Sequence, residues 1–94
     1  MNLPKPIIES ISSLACQFNV DKVILFGSRA RGTNWERSDI DLAIQGGDTV
    51  AFAASVDEDI PTLLFFDVVD LDKPVQTELL DEIRKDGVII YEKV

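Results

Sequence analysis

Residues 39–45, DIDLAIQ, alternate polar and apolar side chains with a period of two, which is the signature of a β-strand buried on one face. Ile40, Leu42 and Ile44 take one side, and Asp39, Asp41 and Ala43 take the other. Such a strand needs partners, and the flanking sequence offers three. Residues 23–26 form a short apolar strand that stops at Gly27; residues 63–71, LLFFDVVDL, are apolar enough to predict a central strand; residues 88–91 predict a short last one. Helical spacing fills the intervals. Ile7, Ile8, Ile11, Leu14, Ala15 and Phe18 line one face of a helix over 6–18, and residues 49–58 predict a second. Val75, Leu79, Leu80 and Ile83 give a helix over 74–85 its inner side, ended by Gly87. Between Gly27 and Gly32 a single turn over 28–31 is expected, capped by Ser28 and stopped by Gly32. The order α-β-α-β-α-β-α-β predicts an α/β (α+β) fold, a small mixed sheet packed against helices. Neither a repeat nor a linker interrupts the 94 residues, so the expectation is a single domain over residues 1–94.

Charge and residue usage narrow the chemistry. Acidic residues number 17 against 9 basic ones, a net charge of −8, which argues against phosphate-rich nucleic acid or an anionic membrane and suits a basic partner. The chain has no histidine, so Ser-His-Asp and Cys-His catalysis and histidine-rich zinc sites are excluded. The lone Cys16 cannot form an internal disulfide, and its place in the first helical pattern predicts core packing. No run approaches the roughly 20 apolar residues of a membrane span. The opening MNLPKPIIES also lacks the apolar segment of a secretory leader, so a cytoplasmic location is expected. Chemistry must rest on carboxylates, hydroxyls and arginines.

Asp39 and Asp41 sit on one strand face about 6.5–7 Å apart along the backbone. At an effective dielectric of about 20, two unit charges 5 Å apart repel by roughly 3 kcal/mol, so such a pair implies solvation or a cation between them. Hard oxygen donors without sulfur or imidazole point to Mg²⁺ or Mn²⁺. Asp67 interrupts the apolar run LLFFDVVDL, where a buried unpaired charge needs a reason. It is the preferred third acid, with Asp70, on the opposite strand face, as the alternative. Three carboxylates from adjacent strands can hold two metal ions for in-line phosphoryl or nucleotidyl transfer. A phosphate cradle would precede them. Gly27 lets backbone approach a ligand, Ser28 offers a hydroxyl, and the N–H groups of the following turn favour an anion. Arg29 and Arg31 are candidates to neutralise phosphate, although their directions on one helical turn suit only one of them to it. GSRARGT is not a Walker A loop, since the spacing and the lysine are missing.

Gly-Ser, ten residues, Asp-x-Asp and a later strand aspartate together resemble the nucleotidyltransferases of the DNA polymerase β superfamily. More narrowly, GSRARG…SDIDL, FDVVDL and DGVIIY are similar to the minimal nucleotidyltransferases of prokaryotes, from about Ile7 to Tyr91. The resemblance implies the nucleotidyltransferase fold, with phosphates on Gly27 and Ser28, two Mg²⁺ ions on Asp39 and Asp41, and Asp67 completing the site and helping to deprotonate the acceptor hydroxyl. Family members of this size are commonly encoded beside a HEPN-domain ribonuclease toxin. The resemblance therefore also implies an antitoxin that moves AMP from ATP to a tyrosine of that toxin.

Two other functions compete with this expectation. An antitoxin could neutralise its partner by occlusion alone, and a stand-alone transferase could modify a small aminoglycoside-like acceptor, although the latter usually needs a further domain. Trp35, in a polar loop over 33–38, is either an anchor for a partner or a cover over the motif. The run Asp57, Glu58, Asp59 predicts a solvated helix end, and Ile89, Ile90 and Tyr91 a core segment or sheet edge.

Overall fold

Pro4 and Pro6 fix the backbone at the start of α1 (Lys5–Gln17), where the first N–H groups lack helical partners in any case. The computed structural model describes every residue, Met1–Val94. After α1 the chain runs through β1 (Lys22–Phe26), α2 (Gly27–Arg31), β2 (Ile40–Gln45), α3 (Thr49–Asp59), β3 (Phe66–Asp70), α4 (Thr77–Asp86) and β4 (Val88–Glu92). The strands form one sheet in the order β3-β2-β1-β4. β1 is antiparallel to β2 and β4, while β2 and β3 are parallel, with α3 as their crossover. The mixed sheet against helices is the architecture that the alternation of patterns predicts.

The sheet separates two apolar clusters. Val23 and Leu25 of β1 and Ile40, Leu42 and Ile44 of β2 pack with Ile11, Leu14 and Ala15 of α1 and Phe52 and Val56 of α3. On the other face, Phe26, Ala43 and Ile83 form a smaller cluster with Ile24, Val69, Leu71 and Leu79, so α4 lies there. Period-two alternation puts Asp41 and Ala43, and Asp67 and Val69, on this second, thinner face. Acids near the strand mouths therefore meet solvent beside α4 and not the main core.

Several expectations are corrected. β3 is an edge strand that begins at Phe66, not a central one. Leu64, Phe66 and Val68 pack on the main core, whereas Leu63 is 98% and Phe65 76% exposed. Asp67 is exposed too, so its charge has no burial to explain. α2 starts at Gly27, which places Ser28 inside the first turn with Phe26 in the cap position, while Gly32 ends the helix in the left-handed region as predicted. α4 begins at Thr77, because Leu79 and Leu80 both bond the Gln76 carbonyl and the stretch from Pro74 stays outside the helix. Cys16 is exposed, since it lies off the α1 stripe of Ile11, Leu14 and Ala15. Asp39 falls one residue before β2. No helix is long and apolar enough to cross a membrane.

Candidate active site

Asp41 is the centre of the acidic cluster. In the ladder it pairs with Phe26, the last residue of β1, and on its other side it is in register with Asp67. Gly27 follows Phe26 directly and turns the chain into α2 with a φ of +73°. A Cβ at Gly27 would lie 2.3 Å from Asp41 Oδ2. Only glycine lets the turn pass so close to the carboxylate, and the turn is thereby held against the acid. The spacing that singles out Gly27 and Asp41 in the sequence thus reflects a contact between neighbouring strands.

Burial pushes the Asp41 carboxyl up to about 6, and the carboxylates of Asp67, Asp39 and Glu82 push it the same way against the opposing pull of Arg31. Four acids therefore share one electrostatic neighbourhood. Glu82 was not legible as one of them. It stands on α4 next to Ile83, and only the packing of Ile83 on Phe26 and Ala43 brings it across the second face. The available signal was the pair Glu82 and Asp86, one helical turn apart and both acidic. Arg31 Nη1 reaches Asp86 Oδ2 at 3.0 Å and Glu82 Oε1 at 3.8 Å, so α2 and α4 are tied across the rim of the cluster.

The structure divides the other predicted residues. Ser28 stays beside Gly27, half-buried in the first turn of α2. Arg29 is removed from the phosphate role: it is 3% exposed, and its guanidinium donates to three backbone carbonyls. Nε donates to Ser38 O at 3.0 Å, Nη1 to Asn2 O at 3.2 Å and Nη2 to Glu36 O at 3.1 Å. A fork with five donors suits such bracing, since each of its three nitrogens meets a carbonyl acceptor. Arg31 is the arginine that remains at the cluster. Asp70 lies at the far end of β3 in register with Ile44. There Thr49 Oγ1 donates to its Oδ2 at 2.6 Å, and that bond holds the Asp70 carboxyl below its ordinary value against partial burial, helped by the Asp72 N–H and Lys73. Asp70 joins β3 to α3 and is remote from Asp41.

The donor set is oxygen only, which fits a hard divalent cation in kind. No three acids converge on one point within ligand reach. Asp41 and Asp67 are neighbours across the ladder, with Asp39 at the mouth of β2 and Glu82 facing them from α4.

A family model described as Polymerase beta, Nucleotidyltransferase matches residues 9–94. A curated protein of Methanocaldococcus jannaschii, named as a candidate protein adenylyltransferase, is 46% identical over 48 residues, which are 49% of this chain and 48% of that protein. The chain thus spans about half the length of that relative. A chain of a toxin–antitoxin complex solved with AMP-PNP superposes with a TM-score of 0.73 at 23% identity, over 92% of this chain and 73% of that one. A candidate nucleotidyltransferase of Sulfolobus solfataricus superposes with a TM-score of 0.54 at 25% identity, over 99% and 93% of the two chains. The sheet order, the glycine turn pressed on a strand aspartate and the match over nearly the whole sequence agree: the chain belongs to the polymerase β nucleotidyltransferase family.

Proposed function

We propose that this chain transfers AMP from ATP to a hydroxyl on a partner protein, with Asp39, Asp41 and Asp67 as the catalytic and metal-binding acids. The observation that carries this reading is the position of Asp41, pressed against the Gly27 turn on one side and in register with Asp67 on the other. In the proposed reaction the acceptor oxygen attacks the α-phosphorus of ATP, the bond to the bridging oxygen breaks, and pyrophosphate leaves. Asp67, the exposed acid, takes the acceptor proton. The turn at Gly27 and Ser28 holds the phosphates, and Arg31 at the rim offsets part of their charge. Asp39, Asp41 and Asp67 would hold two Mg²⁺ ions, or Mn²⁺, and when bound these ions supply charge neutralisation on the phosphates and a lower pKa for the attacking hydroxyl.

The partner proposed is a HEPN-domain ribonuclease toxin, modified on a tyrosine, and the chain is its cytoplasmic antitoxin. Support comes from the toxin–antitoxin complex among the structural neighbours, from the adenylyltransferase name of the M. jannaschii relative and from the net charge of −8, which suits an RNA-cleaving partner. Occlusion without chemistry is the rival. Ribonuclease assays of the adjacent-gene HEPN protein separate the two. After incubation with ATP and Mg²⁺, the Asp39→Asn/Asp41→Asn variant is expected to bind the toxin without silencing it. Full silencing by that variant would establish occlusion.

A further inference from the structure

The acidic site opens at the end of the sheet where β1 stops and β2 and β3 start, and two loops leave the fold at that same end. Both carry large apolar side chains into solvent. Trp35 is 84% exposed, Leu63 98% and Phe65 76%. Glu36 and Arg37 of the first loop and Thr62 to Phe65 of the second line one groove of about 450 Å³, so the loops form a continuous surface. That surface runs into the catalytic strand. The Ile40 N–H donates to Phe65 O at 2.9 Å, which extends the β2–β3 ladder to Phe65, and alternation then places Phe65 on the side of Asp67.

The Trp35 loop is also held by hydrogen bonds of its own. The Trp35 N–H donates to Ser38 Oγ at 2.8 Å, and the Ser38 N–H and the Asn34 amide both donate to Trp35 O. Beneath it, buried Arg29 grips the carbonyls of Glu36 and Ser38. A buried arginine thus braces a loop whose indole is 84% exposed. Preorganised, exposed tryptophan with neighbouring apolar side chains is the composition of a binding hot spot, and isolated exposure would not demand such bracing.

We propose that Trp35, Leu63 and Phe65 form the docking rim that seats the acceptor protein over Asp41 and Asp67. The inference rests on the reading that the acceptor is a protein. The occupant is a partner segment with an apolar or aromatic side chain in the groove at Leu63 and Phe65, flanked by the exposed Trp35, and basic residues beside the acceptor hydroxyl. The latter would answer Glu36 in the groove and the exposed Asp39 and Asp67 at the strand mouths, against which Arg37 in the groove and Arg31 at the acidic cluster are the cations set nearby. A second copy of this chain is disfavoured because it would bring together two molecules of net charge −8.

The test uses the adjacent-gene protein as probe and the Trp35→Ala/Leu63→Ser/Phe65→Ser variant, with AMP-PNP titration of the free chain as the control. Calorimetry is expected to show partner affinity weakened by about 30-fold or more with AMP-PNP affinity unchanged. Trp35 is the only tryptophan, so 5-fluorotryptophan in this chain gives one fluorine resonance, which is expected to shift on adding the partner. Unchanged partner affinity in the variant, a resonance that stays put, or a wild-type chain that does not bind the partner would each overturn the proposal. So would loss of AMP-PNP affinity with partner affinity kept, which would make the rim a base platform. Wild-type binding that the variant loses, without AMP transfer by either, would uphold the rim and overturn protein adenylylation.

Discussion

Gly27 and Gly32 flank one short helix and share a left-handed backbone, yet they have different neighbours. At Gly32 a Cβ meets nothing within 4 Å, whereas at Gly27 it meets the Asp41 carboxylate. Gly32→Ala should lower stability by about 1–2 kcal/mol, the strain of the backbone alone. Gly27→Ala should lower it further, and Asp41→Ala in the same chain should restore part of the difference, as a double-mutant cycle in urea would measure. Asp41 itself is held against its preference. Its folded pKa of about 6 lies above the ordinary 3.8, so the folded state binds this proton more tightly and stability falls as pH rises from about 4 through 6. In EDTA, Asp41→Asn should therefore raise the melting temperature at pH 8 and by much less at pH 4. An equal gain at both would remove the electrostatic origin of the effect. That Gly27 and Asp41 are neighbours was legible in the spacing of Gly-Ser and Asp-x-Asp, whereas Asp67 stood out in the sequence only as a charge in an apolar run and is exposed in the structure. The fate of Arg29 was not, because its three carbonyl partners come from the N-terminal segment and the loop before β2 and carry no side-chain signal.

At the scale of elements, every strand and helix is present near its expected place, and the shortfall lies in order and depth. Apolar content cannot distinguish a central strand from an edge strand whose outward side chains await another surface, and β3 is the second kind. The link from Thr49 to Asp70 is the element-scale tie that orients β3 on α3. Since it lowers the Asp70 pKa, its contribution is complete above the ordinary value of 3.8 and is lost as pH falls through the folded value. Thr49→Ala should destabilise the protein by about 1 kcal/mol at pH 7 and by less at pH 2, with the Asp70 carboxyl moving up toward its ordinary value by carbon-detected NMR. A pH-independent loss would assign the effect to packing.

Taken as a whole, the molecule places Asp39, Asp41 and Asp67 and its apolar rim at one end of a four-stranded sheet, beside the thinner face that α4 covers. Burial on the α1 and α3 side holds the fold, which leaves the other side free to carry like charges that oppose stability. Architecture at this scale was legible because pattern and period are whole-chain properties. The role of Glu82 was hidden until α4 was seen across the sheet. The decisive measurement is intact-mass spectrometry of the adjacent-gene protein after incubation with this chain, ATP and Mg²⁺. A gain of whole AMP units with the wild type and none with Asp39→Asn/Asp41→Asn is expected. An equal gain with that variant would contradict the assignment of these aspartates to catalysis.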